Sequence, residues 1–297
     1  MGYEFHTCDV FTDTRFGGNP LAVLPNADGL TGEQMQQIAR EFNYSESTFV
    51  LPAEQGHTKR VRIFTPTTEV PFAGHPNIGT AFVLASMGEF GEFDETEIVF
   101  EEDAGLVPVT IRKAEKSIWS ELKAPQSLSI EKKIPLELVA CALSIQPESI
   151  VDSTHPPQVA SVGLPFVMVE VRDIESLEQS RIHMPAFDEI HDMGVMPDIH
   201  VYFHSRDEFD IRTRMFAPLD GVPEDPATGS ANCALVGMLT HYRPEGSGDF
   251  CWRIAQGVEM GRPSFLDART QKKDGQVTGV WIAGECVMVT SGTIEVD

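Results

Sequence analysis

Three short stretches of the chain carry the residue types of proton chemistry. Gly74-His75-Pro76 and Asp225-Pro226 each set a titratable side chain directly before a proline, and behind each proline runs an uncharged apolar segment. Proline favours the first helical turn, where its missing N–H has no partner to lose, so His75 and Asp225 are expected to cap two helices. Small residues follow in Gly79-Thr80 and Gly229-Ser230, and they let a ligand or a facing backbone come close. The first-turn N–H groups and the positive end of the helix dipole then make a site for a carboxylate. Histidine titrates near neutrality and can give or take a proton there.

The third stretch is Glu46, ahead of the apolar run Thr48-Phe49-Val50-Leu51. Taking a proton from carbon beside a conjugated or carbonyl system needs a base of raised pKa, which a carboxylate acquires when apolar neighbours strip its water. Each residue alone also has a plain structural reading. Aspartate is among the best helix caps, and a glutamate where a loop meets a strand is usually a solvated acid. The equivalent places of His75-Pro76 and Asp225-Pro226 in a repeated unit favour chemistry for those two, and for Glu46 it is the coincidence with the other motifs that does so.

That repeat is visible in Arg60-Val-Arg62-Ile-Phe64-Thr-Pro66 against Arg212-Thr-Arg214-Met-Phe216-Ala-Pro218. It continues with Val70-Pro71 against Val222-Pro223, and then with Pro76, Gly79 and Ala81 against Pro226, Gly229 and Ala231. Gly18-Asn19-Pro20 and Gly163-Leu164-Pro165 add a fainter echo. Two related halves are expected: residues 1–124, to which a last strand at about 286–297 can return, and residues 125–285, with a linker between Lys123 and Pro135. The charge-free helices from Pro76 and Pro226 are apolar all round and belong inside their domains. Strand patterns fit 3–10, 47–51, 58–64, 97–101, 106–113 and 117–122, then 158–161, 166–171, 199–204, 209–216, 251–255, 277–283 and 286–290. Further helices fit 31–42, with Thr31 and Gln34 as a capping box, and regions near 135–143 and 185–192. The predicted class is α+β: two pseudo-symmetric domains, each a curled, mostly antiparallel sheet around a central buried helix.

Composition narrows the partners. With 22 Lys and Arg against 45 Asp and Glu, the net charge is −23, which repels nucleic acid and anionic membranes and favours a small-molecule substrate. Five widely spaced cysteines without a Cys-x-x-Cys pair fit a reducing, cytoplasmic setting. With the early charges of Glu4, Asp9, Asp13 and Arg15 no secretory leader is expected, and no apolar run approaches a membrane span of ~18 residues. His200 and His204 lie on one side of a strand, but no third ligand has helpful spacing, so no metal site is expected. Nucleotide-binding glycine fingerprints are missing. Arg62 and Arg214 are expected to pair with nearby carboxylates.

Asn43-Tyr-Ser45-Glu46-Ser47-Thr-Phe49, Phe72-Ala-Gly74-His75-Pro76 and Asp225-Pro-Ala-Thr-Gly229-Ser230-Ala231 together resemble the signatures of the PhzF-like phenazine-biosynthesis isomerases, a branch of the diaminopimelate-epimerase-like fold. Asp9-Val-Phe11-Thr and Gly18-Asn19-Pro20 also fit, and the likeness spans essentially the whole chain. The resemblance implies an isomerase without metal or cofactor, often a homodimer, with its active site between two domains. It assigns Glu46, His75 and Asp225 to proton transfer, and Gly74, Asn19, Gly229 and Ser230 to binding a carboxylate-bearing, possibly cyclic substrate. Diaminopimelate epimerase uses a cysteine at each helix start; none lies at 72–79 or 224–230 here, which disfavours thiol-based racemisation. An amino-acid or hydroxy-acid epimerase, or a non-catalytic binding protein on the same fold, stays open as an alternative.

Overall fold

A computed structural model of the chain describes residues 2–113 and 117–297. The chain divides into two compact units, one ending at Lys123 and rejoined by Ala283–Asp297, the other running from Ala124 to Ile282. Each mixes helices with a sheet, so the fold class is α+β.

The first unit contains β1 (Gly2–Val10), β2 (Asn19–Leu24), α1 (Gly32–Phe42), β3 (Glu46–Leu51), β4 (Lys59–Phe64), β5 (Glu69–Val70), α2 (Gly74–Ser86), β6 (Glu95–Glu102), β7 (Gly105–Lys113) and β8 (Ile118–Lys123). Pairing is antiparallel for β1–β2, β3–β4, β4–β5, β6–β7 and β7–β8, and parallel for β2–β3 and β4–β6. Thr31 and Gln34 cap α1 reciprocally, as their spacing predicts. Helix α1 rests Met35, Ile38 and Ala39 on Leu24, Phe49 and Phe64. Helix α2 is different: every residue from Gly74 to Ala85 is buried, and strands β1, β2, β3, β7 and β8 pack around it. A helix without charges leaves no face for water.

The second unit contains β9 (Ser129–Lys133), α3 (Leu136–Ala142), β10 (Gln158–Ser161), β11 (Pro165–Glu170), α4 (Ile174–Gln179), α5 (Met184–Asp192), β12 (Ile199–His204), β13 (Ile211–Ala217), β14 (Val222–Asp225), α6 (Gly229–Tyr242), β15 (Gly248–Gln256), β16 (Ser264–Lys273) and β17 (Gln276–Glu295), whose residues from Ala283 on count with the first unit. Pairing runs antiparallel for β10–β11, β12–β13, β13–β14 and β15–β16, and parallel for β11–β12 and β13–β15. The sense and order match those from β1 to β7. The buried helix α6 packs on β10, β11 and β16.

Three expectations need correction. The predicted linker holds β9, which pairs with β10. The two strands predicted at 277–283 and 286–290 are one strand, β17, because Gly284 continues the extended chain without breaking it. Strands β2 and β16 were missing from the sequence reading altogether.

Candidate active site

Glu46 opens β3, and β2 lies parallel beside it with Leu21 opposite Glu46. Two residues before Leu21, Asn19 begins β2 and is fully buried. Gly18 turns the chain into that position with φ at +60°; a Cβ there would come within 2.3 Å of the Val10 carbonyl oxygen, which restricts the position to glycine. His75 is the second residue of α2 and only 4 % exposed. Thr48 Oγ1 and Thr80 Oγ1, 2.8 Å apart, tie β3 to the same helix. These elements bring Asn19, Glu46, Gly74 and His75 together: Nδ2 of Asn19 lies 3.4 Å from His75 Nδ1, and Nε2 of His75 lies 3.5 Å from Glu46 Oε2.

Burial drives the His75 pKa down to about 3, so the imidazole is neutral at ordinary pH. The contact with Glu46 is therefore a neutral donor facing a carboxyl group, not an ion pair. The Glu46 side chain keeps 20 % exposure, which gives a substrate access to a group whose other side is enclosed.

The helix starts differ from the sequence reading. Ala73, not His75, is the N-cap of α2, and Thr228, not Asp225, is that of α6. Gly74 and Gly229 are the first helical residues, and His75 and Ser230 the second. Asp225 instead ends β14, where its Oδ2 accepts a hydrogen bond from Thr228 Oγ1 at 2.5 Å. The matching of Pro76 with Pro226 set the phase wrongly. Proline is tolerated throughout a first helical turn and equally in the loop before it, so Pro76 sits inside α2 while Pro226 lies outside α6. The phase is carried by asparagine: Asn77 Nδ2 donates to Ala73 O at 2.9 Å, and Asn232 Nδ2 donates to Thr228 O at 3.0 Å. The paired residues Arg62–Glu69 and Arg214–Glu224, held by two hydrogen bonds each, fit the same phase and bear out the expected carboxylate partners.

Neither N-cap side chain bonds the first-turn amides of its helix. In the second unit a buried polar network surrounds that start. Gln256 Oε1 accepts from Thr228 N at 3.1 Å and from Asn232 Nδ2 at 2.8 Å, while its Nε2 donates to Asp225 O at 2.8 Å. His200 joins through Asn232 Oδ1 at 3.2 Å, and burial lowers its pKa to about 4. Gly229 is buried and Ser230 half-buried in this setting. The sequence reading missed Asn77, Asn232 and Gln256. The repeated spacing Gly74-x-x-Asn77 and Gly229-x-x-Asn232 is the signal that reveals the first two.

Among the described residues, no cluster of three or more His, Cys, Asp and Glu is placed to hold a metal ion, and no helix is long and apolar enough to cross a membrane.

An α+β chain with acid, amide and imidazole converging beside a buried helix start is suited to moving protons, and comparison with known proteins gives the class. The family model described as phenazine biosynthesis-like protein matches residues 8–292. The trans-2,3-dihydro-3-hydroxyanthranilate isomerase of Pseudomonas aeruginosa is 36% identical over 291 residues, covering 98% of both chains. A phenazine biosynthesis protein of the PhzF family from Bacillus anthracis superposes with a TM-score of 0.91 at 24% identity, covering 100% of both chains. A protein from Pseudomonas aeruginosa named as a predicted epimerase superposes with a TM-score of 0.82 at 28% identity, covering 99% of this chain and 100% of its own. The protein is an isomerase. It belongs to the phenazine biosynthesis-like, PhzF-type family.

Proposed function

We propose that the chain is a cofactor-independent isomerase that moves a proton on a small, carboxylate-bearing cyclic substrate, with Glu46 as the group that removes and returns it. The observation that carries this reading is the convergence of Glu46, His75 and Asn19 within 3.5 Å contacts, with Glu46 as the member that keeps an exposed face. In the proposed reaction the ionised Glu46 takes a proton from a carbon flanked by unsaturation, and the electron pair delocalises toward the ring. The protonated Glu46 then delivers the proton at a second carbon of the same system. His75, neutral, faces the resting carboxylate with Nε2 at 3.5 Å. Asp225 is the proposed proton-sharing acid of the second unit, and the uncapped first-turn amides, that of Gly74 in the first unit and that of Gly229 with the Ser230 hydroxyl in the second, are the proposed carboxylate binders. The repeated series of strand pairings supports an internal duplication, and a homodimer is the proposed assembly.

The relative active on trans-2,3-dihydro-3-hydroxyanthranilate makes that compound the first to try. In D2O, the wild type should incorporate solvent deuterium into this substrate or its product. Glu46→Gln should lose that incorporation while keeping its fold and its affinity for the compound; retained incorporation overturns the assignment. The structural neighbour named as an epimerase favours one other reading, inversion of a stereocentre beside a carboxylate. Chiral analysis of the product separates the two, because only epimerisation returns the same constitution with opposite configuration.

A further inference from the structure

Beneath the start of α2 lies a buried acid with no part in the proposed reaction. Glu102 ends β6, is 9 % exposed, and neither of its side-chain oxygens has a hydrogen-bond partner among the described residues. The polar group that faces it is the Asn77 amide, whose Nδ2 already gives one hydrogen to Ala73 O. The second unit has the same construction with a different residue. Arg60 stands opposite Glu101 in the first unit, and Arg212 opposite Ala255 in the second, so Glu102 and Gln256 share one register position. There, Gln256 accepts from Asn232 with Oε1 and donates with Nε2 to the backbone carbonyl of Asp225. The strand partners Ile63–Val70 and Met215–Asp225 make Val70 the counterpart of Asp225.

The second-unit site presents donors to one end of the Gln256 side chain and acceptors to the other, which an amide meets. An ionised carboxylate has no hydrogen to offer; a protonated carboxyl has one. We propose that Glu102 is a positioning residue that works as a neutral carboxylic acid, accepting from Asn77 with one oxygen and offering its proton with the other, and so reproduces in the first unit what Gln256 does in the second.

The surroundings support the protonated form. Burial, with some help from the charge of Asp103, raises the Glu102 pKa to about 8 against the opposing effect of Asn77. On the adjoining elements, Asp103 is bound by Arg60, which also bonds Glu54. Glu101 is turned to the backbone N–H groups of Glu54, Gln55 and His57. On α2, His75 is neutral. Among these described groups, the one cation, Arg60, is engaged by Asp103 and Glu54.

The consequence concerns substrate binding and rests on the proposed carboxylate-binding role of the α2 start. While Glu102 is neutral, the positive end of the α2 dipole is left to an incoming carboxylate. Once Glu102 ionises, it competes electrostatically for that end.

The tests use the full chain. Infrared difference spectra between pH 6 and pH 9 should show protonated-carboxyl C=O absorption in the wild type that is diminished in Glu102→Gln. Asp198 is also raised to about 8, so Asp198→Asn is the second variant, and the band that survives in it belongs to Glu102. Folding should follow the same proton. A carboxyl whose folded pKa exceeds its unfolded one stabilises at low pH, and this contribution is lost as pH rises from about 4.5 to about 8. Glu102→Gln should flatten that decline, whereas Glu102→Ala should be less stable than the wild type throughout. With trans-2,3-dihydro-3-hydroxyanthranilate as substrate, KM should rise about three- to tenfold from pH 7 to pH 9 in the wild type and less than about twofold in Glu102→Gln. A band unchanged in Glu102→Gln, no band in Asp198→Asn, or an undiminished stability decline in Glu102→Gln overturns the proposal. The spectra and the unfolding curves need no substrate, so they decide the state of Glu102 even if Glu46 proves not to be the base.

Discussion

His75 stands between two polar side chains, with Asn19 Nδ2 at 3.4 Å from one ring nitrogen and Glu46 Oε2 at 3.5 Å from the other. An amide nitrogen can only donate, so Nδ1 is the accepting nitrogen. The neutral ring then carries its single proton on Nε2, facing Glu46. Asn19 is thus placed to set the tautomer of the ring that faces Glu46. Asn19→Leu removes the donor and should slow Glu46-dependent deuterium exchange by about 10- to 100-fold, the equivalent of one lost buried hydrogen bond. Asn19→Asp should reverse the tautomer by accepting from Nδ1–H. Nitrogen NMR of the His75 ring reads the tautomer in both variants, and an unchanged tautomer in Asn19→Asp would sink the assignment.

The two buried histidines should contribute a loss of stability in acid. His75 is held down to about 3 and His200 to about 4 by burial. The unfolded chain takes up protons at these sites near pH 6.5, while the folded chain resists them. The unfolded state then binds more protons, and stability falls as pH drops from about 6.5 toward 4 and 3. Each histidine accounts for at most a few kcal/mol of that loss. Glu102 and Asp198 act in the opposite sense over part of this range, so the histidine contribution is read as a difference: from pH 7 to pH 4 the urea midpoint of His200→Gln should fall less, or rise more, than that of the wild type, and parallel curves would contradict the account.

Gln256 should be the costliest polar residue to remove from the second unit. It satisfies Thr228 N and Asn232 Nδ2 and donates to Asp225 O and Thr228 Oγ1. Gln256→Leu leaves several buried groups unbonded, at about 1–3 kcal/mol for each group that water cannot reach. A loss of roughly 3 kcal/mol or more is expected in chemical denaturation, and Gln256→Glu should recover part of it at low pH, where the acid is protonated. A loss below about 1 kcal/mol would mean that water replaces the network.

Much of this arrangement was readable because some residues have few conformational uses. The apolar, uncharged runs behind Pro76 and Pro226 could only be interior helices, and the Thr31–Gln34 spacing set the start of α1. Strand β16 escaped notice because its inward residues include Ser264, Thr270 and Lys272, which hide the alternation. Lys272 can be buried because its ammonium group donates to the carbonyls of His241 and Arg243, a partnership no local pattern discloses. Strand β2 was masked by opening with Asn19-Pro20. His75 was named from its place before a proline at a helix start and Glu46 with the help of the resemblance, but their meeting depends on the parallel β2–β3 pairing and on the packing of α2, both long-range features. Glu102 gave no signal in one dimension, since its burial follows from where β6 ends.

Gly79 fixes how closely α2 lies on the sheet, so its replacement should reach the site from a distance. A Cβ at that position would come 2.6 Å from Leu21 Cδ2 and 2.7 Å from Val10 Cγ2, with Cys8 Sγ at 3.2 Å. All three side chains are fully buried, so the helix or the strands must move. Alanine gains roughly 1 kcal/mol in helix propensity over glycine, while overpacking of this kind costs about 1–3 kcal/mol. Gly79→Ala is therefore expected to be destabilising by about 1–2 kcal/mol, and the deficit should shrink when Val10→Ala makes room, a coupling that a double-mutant cycle measures. Because Leu21 pairs with Glu46 across β2 and β3, and His75 is one helical turn before Gly79, the same displacement should widen the His75–Glu46 gap and slow deuterium exchange. Exchange unchanged in a measurably destabilised Gly79→Ala would show that α2 gives way at its far end and leaves its first turn in place.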